Sequence, residues 1–134
     1  MPHRICVVGT SGYATEHIAA VRRLVATGTA ELVGPVEGLD GYRELLESGP
    51  AVCDLVVLPL PIPLHAEQGI PALARGFRVL TEKPLAGSSA EAVAFLAAAD
   101  GRLDVGYQHA YASTGRGLYE HAGSRKLGEL REVT

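Results

Sequence analysis

Apolar segments of two kinds alternate along this chain of 134 residues. Short, continuous apolar runs rich in valine and leucine predict buried strands, and longer segments with apolar residues every three or four positions predict helices. The predicted strands are 4–8, 31–36, 54–58, 77–81, 103–108 and a last one that begins near residue 130. The first predicted helix follows the first strand and ends near Thr27. The other predicted helices cover 42–47, 65–75, 88–99 and 117–125. This alternation predicts an α/β fold, a doubly wound and mostly parallel sheet with helices on both faces.

Composition excludes several classes of protein. Apolar residues make up 47% of the chain and charged residues 20%, which is typical of a folded globular domain. The net charge is −3 without a basic block, so we expect no nucleic-acid partner. No apolar stretch approaches the roughly 18 residues that cross a bilayer, so we expect no membrane span. Cys6 and Cys53 lie inside apolar, strand-like runs, and we interpret them as buried free thiols of a cytoplasmic protein without a metal site.

A glycine-rich segment, Gly9-Thr10-Ser11-Gly12-Tyr13-Ala14, connects the first strand to the first helix. In dinucleotide-binding proteins, glycines at this place permit a tight turn and let the backbone approach a pyrophosphate. The helix N-terminus adds N–H groups and a partial positive charge. Gly9 and Ala14 fill the first and third positions of that pattern, whereas Ser11 occupies the second. The alternative is a glycine-rich turn that only connects the two elements.

An acidic residue, Glu37, follows the second predicted strand. An acid at this place hydrogen-bonds the adenosine ribose and disfavours a 2′-phosphate, which favours NAD over NADP. A solvated loop acid explains Glu37 equally well, and Arg43 lies close enough in sequence to weaken the preference for NAD.

The segment Glu82-Lys83-Pro84 follows an apolar strand. Because strand carboxyl ends border the ligand crevice of such sheets, Lys83 is placed where it could donate a proton, with Glu82 holding its ammonium group. The alternative is a surface turn. Two further segments also lie at strand ends, the loop containing Pro61 and His65, and the run Tyr107-Gln108-His109. His65 is more typical of a hydrogen-bonding residue at a helix start, and the second run could line a substrate pocket or only pack.

Taken together, these segments resemble the Gfo/Idh/MocA oxidoreductases, the family of glucose–fructose oxidoreductase and inositol dehydrogenase. The resemblance covers the whole chain. Its motifs are the glycine-rich opening ending in Glu16-His17, Pro61-x-x-x-His65-Ala66-Glu67, Glu82-Lys83-Pro84, Gly106-Tyr107-Gln108-His109 and the closing segment 123–131.

The resemblance implies a Rossmann domain that binds NAD or NADP, with NAD slightly favoured. It implies cofactor contacts from Gly9, Ser11, Gly12, Tyr13, Ala14, Glu37, Pro61, His65 and Glu82. It implies that Lys83 is the catalytic residue near the nicotinamide, that Glu82 orients it, and that the Lys83–Pro84 peptide is cis. It also implies that a sugar-like or polyol substrate contacts Lys83, Gln108 and His109.

We expect residues 1–134 to form a single Rossmann-like domain, cut short before the second domain that family members carry. That domain usually supplies the other wall of the active site and the oligomer interface. We therefore expect a homo-oligomer or a partner chain that supplies it. The alternative function is a non-catalytic module, for nucleotide binding or protein interaction, that has lost the reaction.

Overall fold

A five-stranded parallel sheet forms the centre of the computed structural model, which describes residues 1–124. Its strands lie in the order β2-β1-β3-β4-β5. They are β1 (His3–Val7), β2 (Ala30–Leu32), β3 (Leu55–Leu58), β4 (Arg78–Thr81) and β5 (Leu103–Val105). The chain therefore passes through β1 and its neighbour β2 before it crosses to β3. All the strand pairs are parallel, as the continuous apolar runs predict.

Helices cover both faces of this sheet, which confirms the doubly wound α/β prediction. They are α1 (Tyr13–Ala26), α2 (Gly38–Ser48), α3 (Pro63–Ala74), α4 (Ser89–Ala99), α5 (Gln108–Tyr111) and α6 (Ser113–Ser124). Helix α1 buries Ile18 and Val21 against Val7 and Val57 on one face. Helices α2, α3 and α4 pack on the other face, in a core that includes Phe95. Alternate residues of β1, β3 and β4 therefore belong to different cores, as the pleat requires.

Local sequence signals explain where several helices begin and end. The Ser88 hydroxyl accepts a hydrogen bond from the backbone N–H of Glu91 at 3.2 Å, which confirms the predicted cap of α4. Gly28 follows α1 in a left-handed conformation with φ of 72°, which glycine adopts without a steric penalty. These signals place both helix ends within a residue or two of the predicted positions.

Two predicted strands are shorter in the structure. Strand β2 ends at Leu32 instead of Val36, because Gly34 adopts a φ of 111° and Pro35 offers no N–H to the ladder. After this turn, Val36 pairs with Val8 in a single isolated parallel β-bridge. Strand β5 ends at Val105, and the residues predicted to extend it turn into α5.

The two helices predicted over 42–47 and 117–125 begin four residues earlier, with α2 and α6. Cys6 and Cys53 are buried and free, as predicted. Within residues 1–124, no helix combines the length and the apolar character that crossing a membrane requires. The strand predicted near residue 130 and most of the closing motif lie outside the described residues.

Candidate active site

The sequence-predicted segments meet at one edge of the sheet. The glycine-rich turn follows β1, the proline-rich loop follows β3, the Glu82-Lys83-Pro84 turn follows β4, and Gly106 to His109 follow β5. Since these strands are parallel neighbours, their carboxyl ends point to the same side. This is the edge at which open α/β sheets bind ligands.

The glycine-rich turn has the backbone that its sequence predicts. Gly9 adopts a φ of 106°, and its N–H donates to the carbonyl of Val36 at 2.8 Å. Gly12 adopts a φ of 57° just before α1. Each conformation disfavours a side chain, and a Cβ on Gly12 would meet no atom within 4 Å, so the space beside it is open. Beyond it, Ser11 and Tyr13 are exposed at the N-terminus of α1, where the N–H groups of Ala14 and Thr15 donate to the carbonyls of Ser11 and Gly12 at 3.2 Å. The partial positive charge of the helix N-terminus faces this open space. The turn therefore fits a bound anion such as a pyrophosphate.

Glu37 lies beside this turn. The Thr10 hydroxyl donates to Glu37 Oε1 at 3.4 Å, a long hydrogen bond that joins the residue before α2 to the glycine-rich segment. Arg43 donates instead to Asp40 at 2.8 Å on the exposed surface of α2. The geometry thus pairs the acid with the turn, and the arginine with another carboxylate.

Two hydrogen bonds hold the Glu82 carboxylate, and a glycine leaves space for it. Its Oε1 accepts a hydrogen bond from His17 Nε2 of α1 at 2.7 Å, and its Oε2 accepts from the backbone N–H of Lys83 at 3.3 Å. Gly106 leaves room on the third side, because a Cβ there would lie 3.1 Å from Glu82 Oε1. Among residues 1–124 no carboxylate lies within 4.0 Å of the Lys83 ammonium group. The expectation that Glu82 holds that ammonium group is therefore wrong, since both its oxygens are engaged elsewhere.

Lys83 lies in a small cleft with the other predicted substrate residues. Lys83, Tyr107, Gln108 and His109 line this cleft of about 290 Å³. Gln108 also lines a larger groove of about 600 Å³ that runs between α1 and the ends of β4 and β5. His17 and Glu82 lie in the wall of that groove. The structure thus brings the three predicted substrate residues together, with space next to them.

His65 is buried, with 1% of its surface exposed. Its Nδ1 lies 2.8 Å from the carbonyl oxygen of Pro84, and its Nε2 lies 2.7 Å from that of Leu60. Both ring nitrogens therefore have partners within the protein, and the cofactor contact expected of His65 stays a prediction. Its role agrees with the alternative, a hydrogen-bonding residue at a helix start. Pro61 is exposed in the same loop, and the Lys83–Pro84 peptide is cis.

Sequence reasoning assigned no role to His17. The dipeptide Glu16-His17 stands out in the sequence, and His17 lies one helical turn after Tyr13, at the end of α1 that faces the site. That position could have indicated a site residue, although the identity of its partner depends on the tertiary structure. The described residues contain no group of three or more histidines, cysteines or carboxylates placed to bind a metal ion.

A family model described as "Oxidoreductase family, NAD-binding Rossmann fold" matches residues 3–109. The chain belongs to the Gfo/Idh/MocA family. The resemblance of its motifs to this family is therefore confirmed. No curated protein matches the chain.

Solved structures of the Gfo/Idh/MocA type share the fold. The WlbA dehydrogenase of Bordetella pertussis, in complex with NADH and UDP-GlcNAcA, superposes with a TM-score of 0.77 and is 22% identical over 96% of this chain. The myo-inositol 2-dehydrogenase of Lactobacillus plantarum gives 0.74, with 19% identity over 96%. The scyllo-inositol dehydrogenase of Lactobacillus casei, with bound NAD(H) and scyllo-inositol, gives 0.73, with 15% identity over 96%. The chain spans 43% to 44% of the length of these proteins.

Proposed function

We propose that this chain is the cofactor-binding domain of an NAD(P)-dependent oxidoreductase of the sugar or polyol dehydrogenase type, with Lys83 as its proton-transfer residue. One observation carries the proposal: the glycine-rich turn, Glu37 and Lys83 lie along a single edge of a parallel sheet. A dinucleotide extended along such an edge would place its pyrophosphate at the glycine-rich turn. Its adenosine ribose would then lie at Glu37 on one side, and its nicotinamide at Lys83 on the other.

The turn and its neighbours fit a dinucleotide. The backbone of Gly9 and Gly12, with the adjacent Ser11, would hold the pyrophosphate at the N-terminus of α1. Tyr13 and Ala14 form the first helical turn below it, and the loop at Pro61 would border the nicotinamide half. These contacts are the part of the proposal that a binding measurement tests directly.

The two nicotinamide cofactors differ at the adenosine ribose. Glu37 would accept hydrogen bonds from the ribose hydroxyls of NAD and repel the 2′-phosphate of NADP. Arg43, the nearby cation in sequence, is paired with Asp40. Exposed pairs of this kind are weak, so Arg43 could be released, but its resting geometry does not offer it to a phosphate. We therefore propose NAD as the preferred cofactor.

The chemistry follows from the cleft. A bound nicotinamide supplies the site that accepts or returns a hydride. In the oxidative direction, Lys83 Nζ would take the proton of the substrate hydroxyl from the oxygen on the carbon that loses the hydride, and it would return that proton in the reverse direction. Gln108 and His109 line the same cleft and would hydrogen-bond other hydroxyl groups. The inositol and nucleotide-sugar ligands of two structural relatives support a polyol or sugar-like substrate.

We further propose that residues 1–134 act as one domain, and that the substrate cleft is completed by a second domain, on the same polypeptide or on a partner chain. The Lys83 cleft supports this part of the proposal, since about 290 Å³ is at the lower limit of ligand pockets.

Calorimetric titration with NAD⁺, NADH, NADP⁺ and NADPH tests cofactor binding. We expect saturable binding of one dinucleotide per chain, with NAD(H) preferred. Glu37→Ser should lower the ratio of NAD to NADP affinity by about tenfold or more, because it removes a charged hydrogen-bond acceptor. Glu47→Ser, at the other end of α2, is the matched control and should leave the ratio unchanged. Absence of binding at millimolar concentration would overturn the proposal.

A hydride-transfer assay with a panel of polyols distinguishes the enzyme from the non-catalytic alternative. In protein that includes the second domain, on the same polypeptide or on a partner chain, we expect reduction of NAD⁺, which Lys83→Met should lower by about a hundredfold or more while dinucleotide binding persists. Binding without turnover at any pH would favour the non-catalytic nucleotide-binding module.

A further inference from the structure

Two histidines hold the Lys83 turn from opposite ends. We propose that His17 and His65 are positioning residues, which fix Glu82 and Pro84 so that Lys83 between them is directed into its cleft. This inference rests on the proposed role of Lys83. Neither histidine touches the reacting atoms, and each acts through a neighbour of Lys83 in sequence.

The first contact joins the turn to helix α1. His17 Nε2 lies 2.7 Å from Glu82 Oε1, and the two side chains are 20% and 14% exposed. A charged acceptor in a partly buried site makes this a stronger hydrogen bond than one on the surface. The other oxygen of Glu82 takes the backbone N–H of Lys83 at 3.3 Å. The helix therefore fixes His17, His17 fixes the Glu82 carboxylate, and that carboxylate fixes the backbone of Lys83.

The second contact joins the turn to the loop after β3. His65 bridges the carbonyl oxygens of Leu60 and Pro84, at 2.7 and 2.8 Å. A histidine donates one hydrogen bond when neutral and two when both nitrogens are protonated, so at least one bridge is a true hydrogen bond in either state. The ring itself is buried, with 1% of the residue's surface exposed. Two neighbouring strand ends are thus tied together directly beside Lys83.

The Lys83 side chain itself is held by neither contact. Its ammonium group has no carboxylate partner among the described residues, and its side chain opens into the cleft with Gln108 and His109. Its position therefore depends on the backbone at 82 and 84. Reactive groups must be held within about 0.5 Å of their working geometry, and a displacement of about 1 Å can reduce a rate by about a hundredfold. Loss of the His17–Glu82 contact or of the His65–Pro84 contact should therefore displace the Lys83 side chain without changing its chemistry.

The test follows Lys83 directly. The chain contains two lysines, Lys83 and Lys126, so protein labelled with ¹³C at lysine Cε gives two resonances, which Lys126→Arg assigns. His17→Gln keeps a donor at the Nε2 position, whereas His17→Leu removes it and His17→Asn is too short to reach Glu82. His3→Leu, at the amino end of β1 and the opposite edge of the sheet, is the matched control.

We expect the Lys83 resonance of the free protein to move in His17→Leu and His17→Asn and to keep its wild-type position in His17→Gln and His3→Leu. The Lys126 resonance should stay constant. Identical Lys83 resonances in all four variants would overturn the positioning role, and the asparagine variant decides the matter if the leucine variant does not fold.

Adding NADH separates this inference from the proposed function. The Lys83 resonance of wild-type protein should shift on binding, and His17→Leu should bind NADH within about threefold of the wild-type affinity with a smaller Lys83 shift, since its pyrophosphate contacts are intact. NADH binding that leaves wild-type Lys83 unmoved would overturn the proposed role of Lys83. The comparison of the free variants would still report whether His17 positions it.

Discussion

Replacing Thr81 by valine should stabilise the protein. Thr81 is the last residue of β4, directly before Glu82, and it is 1% exposed. Its hydroxyl oxygen is buried and has no hydrogen-bond partner among residues 1–124. A hydroxyl group in this state has lost its hydrogen bonds to water and gained none in return. Valine has nearly the same shape and replaces the hydroxyl by a methyl group.

The magnitude follows from the burial of that one atom. Leaving a buried polar group unpaired costs about 1–3 kcal/mol, so its removal should raise the free energy of unfolding by about 1–2 kcal/mol. The higher strand preference of valine acts in the same direction. For a domain of this size the change corresponds to a rise in Tm of roughly 3–10 °C.

Urea denaturation followed by circular dichroism measures the effect. The midpoint should rise in Thr81→Val without a change in the dependence of the free energy on urea. Thr81→Ser is the control, because it keeps the hydroxyl and removes the buried methyl, and it should lose about 1 kcal/mol. A Thr81→Val protein that is no more stable than wild type, or less stable, would show that the Thr81 hydroxyl is paired in the folded protein.

Three further substitutions or conditions test the packing. Ser88→Ala should lower the free energy of unfolding by about 1 kcal/mol in urea denaturation, because the cap of α4 is lost. Gly69→Ala should lower it by about 1–3 kcal/mol despite a better helix propensity, because the added Cβ would overlap the Phe95 ring. Burial raises the pKa of Cys6 to about 12 and that of Cys53 to about 11, so stability should fall as the pH rises from about 9 towards 12.

The sign of the pH effect follows from proton binding. Above pH 9 the unfolded thiols release protons that the folded protein retains, so rising pH favours unfolding. A double variant with Cys6→Val and Cys53→Val should show a shallower fall of the urea midpoint with rising pH. An equal dependence on pH would contradict the assignment of this effect to the two thiols.

Ser89→Ala, one residue inside α4, is the control for the cap, since an equal loss in both serine variants would exclude a capping effect. A Gly69→Ala protein as stable as wild type would show that Phe95 can move aside.

Buried elements were the most predictable from sequence. The apolar runs 54–58 and 77–81 predict β3 and β4 to within a residue, because central parallel strands contact apolar neighbours on both faces. The ends of β2 and β5 were overextended, because turns at Gly34 and Gly106 interrupt segments that remain apolar or aromatic beyond them. Local pattern alone does not report where the chain leaves the sheet.

In the candidate site, too, one part was predictable from sequence and another was not. The rule that ligands bind at strand carboxyl ends places Lys83, Gln108 and His109 at one edge, and the structure brings them into one cleft. The partner of Glu82 was not predictable. His17 lies 65 residues away in sequence, and their contact depends on the position of α1 across the face of the sheet. The sequence shows only which residues are adjacent along the chain, so it predicts a pair between Glu82 and Lys83.

We propose that the glycine-rich turn, Glu37 and the Lys83 turn form one dinucleotide crevice. Backbone amide resonances recorded while NADH is added test it most directly. We expect saturable shifts concentrated at residues 9–14, at Glu37 and at 82–84. No shift at millimolar NADH, or shifts confined to the opposite edge of the sheet around His3 and Asp54, would contradict it.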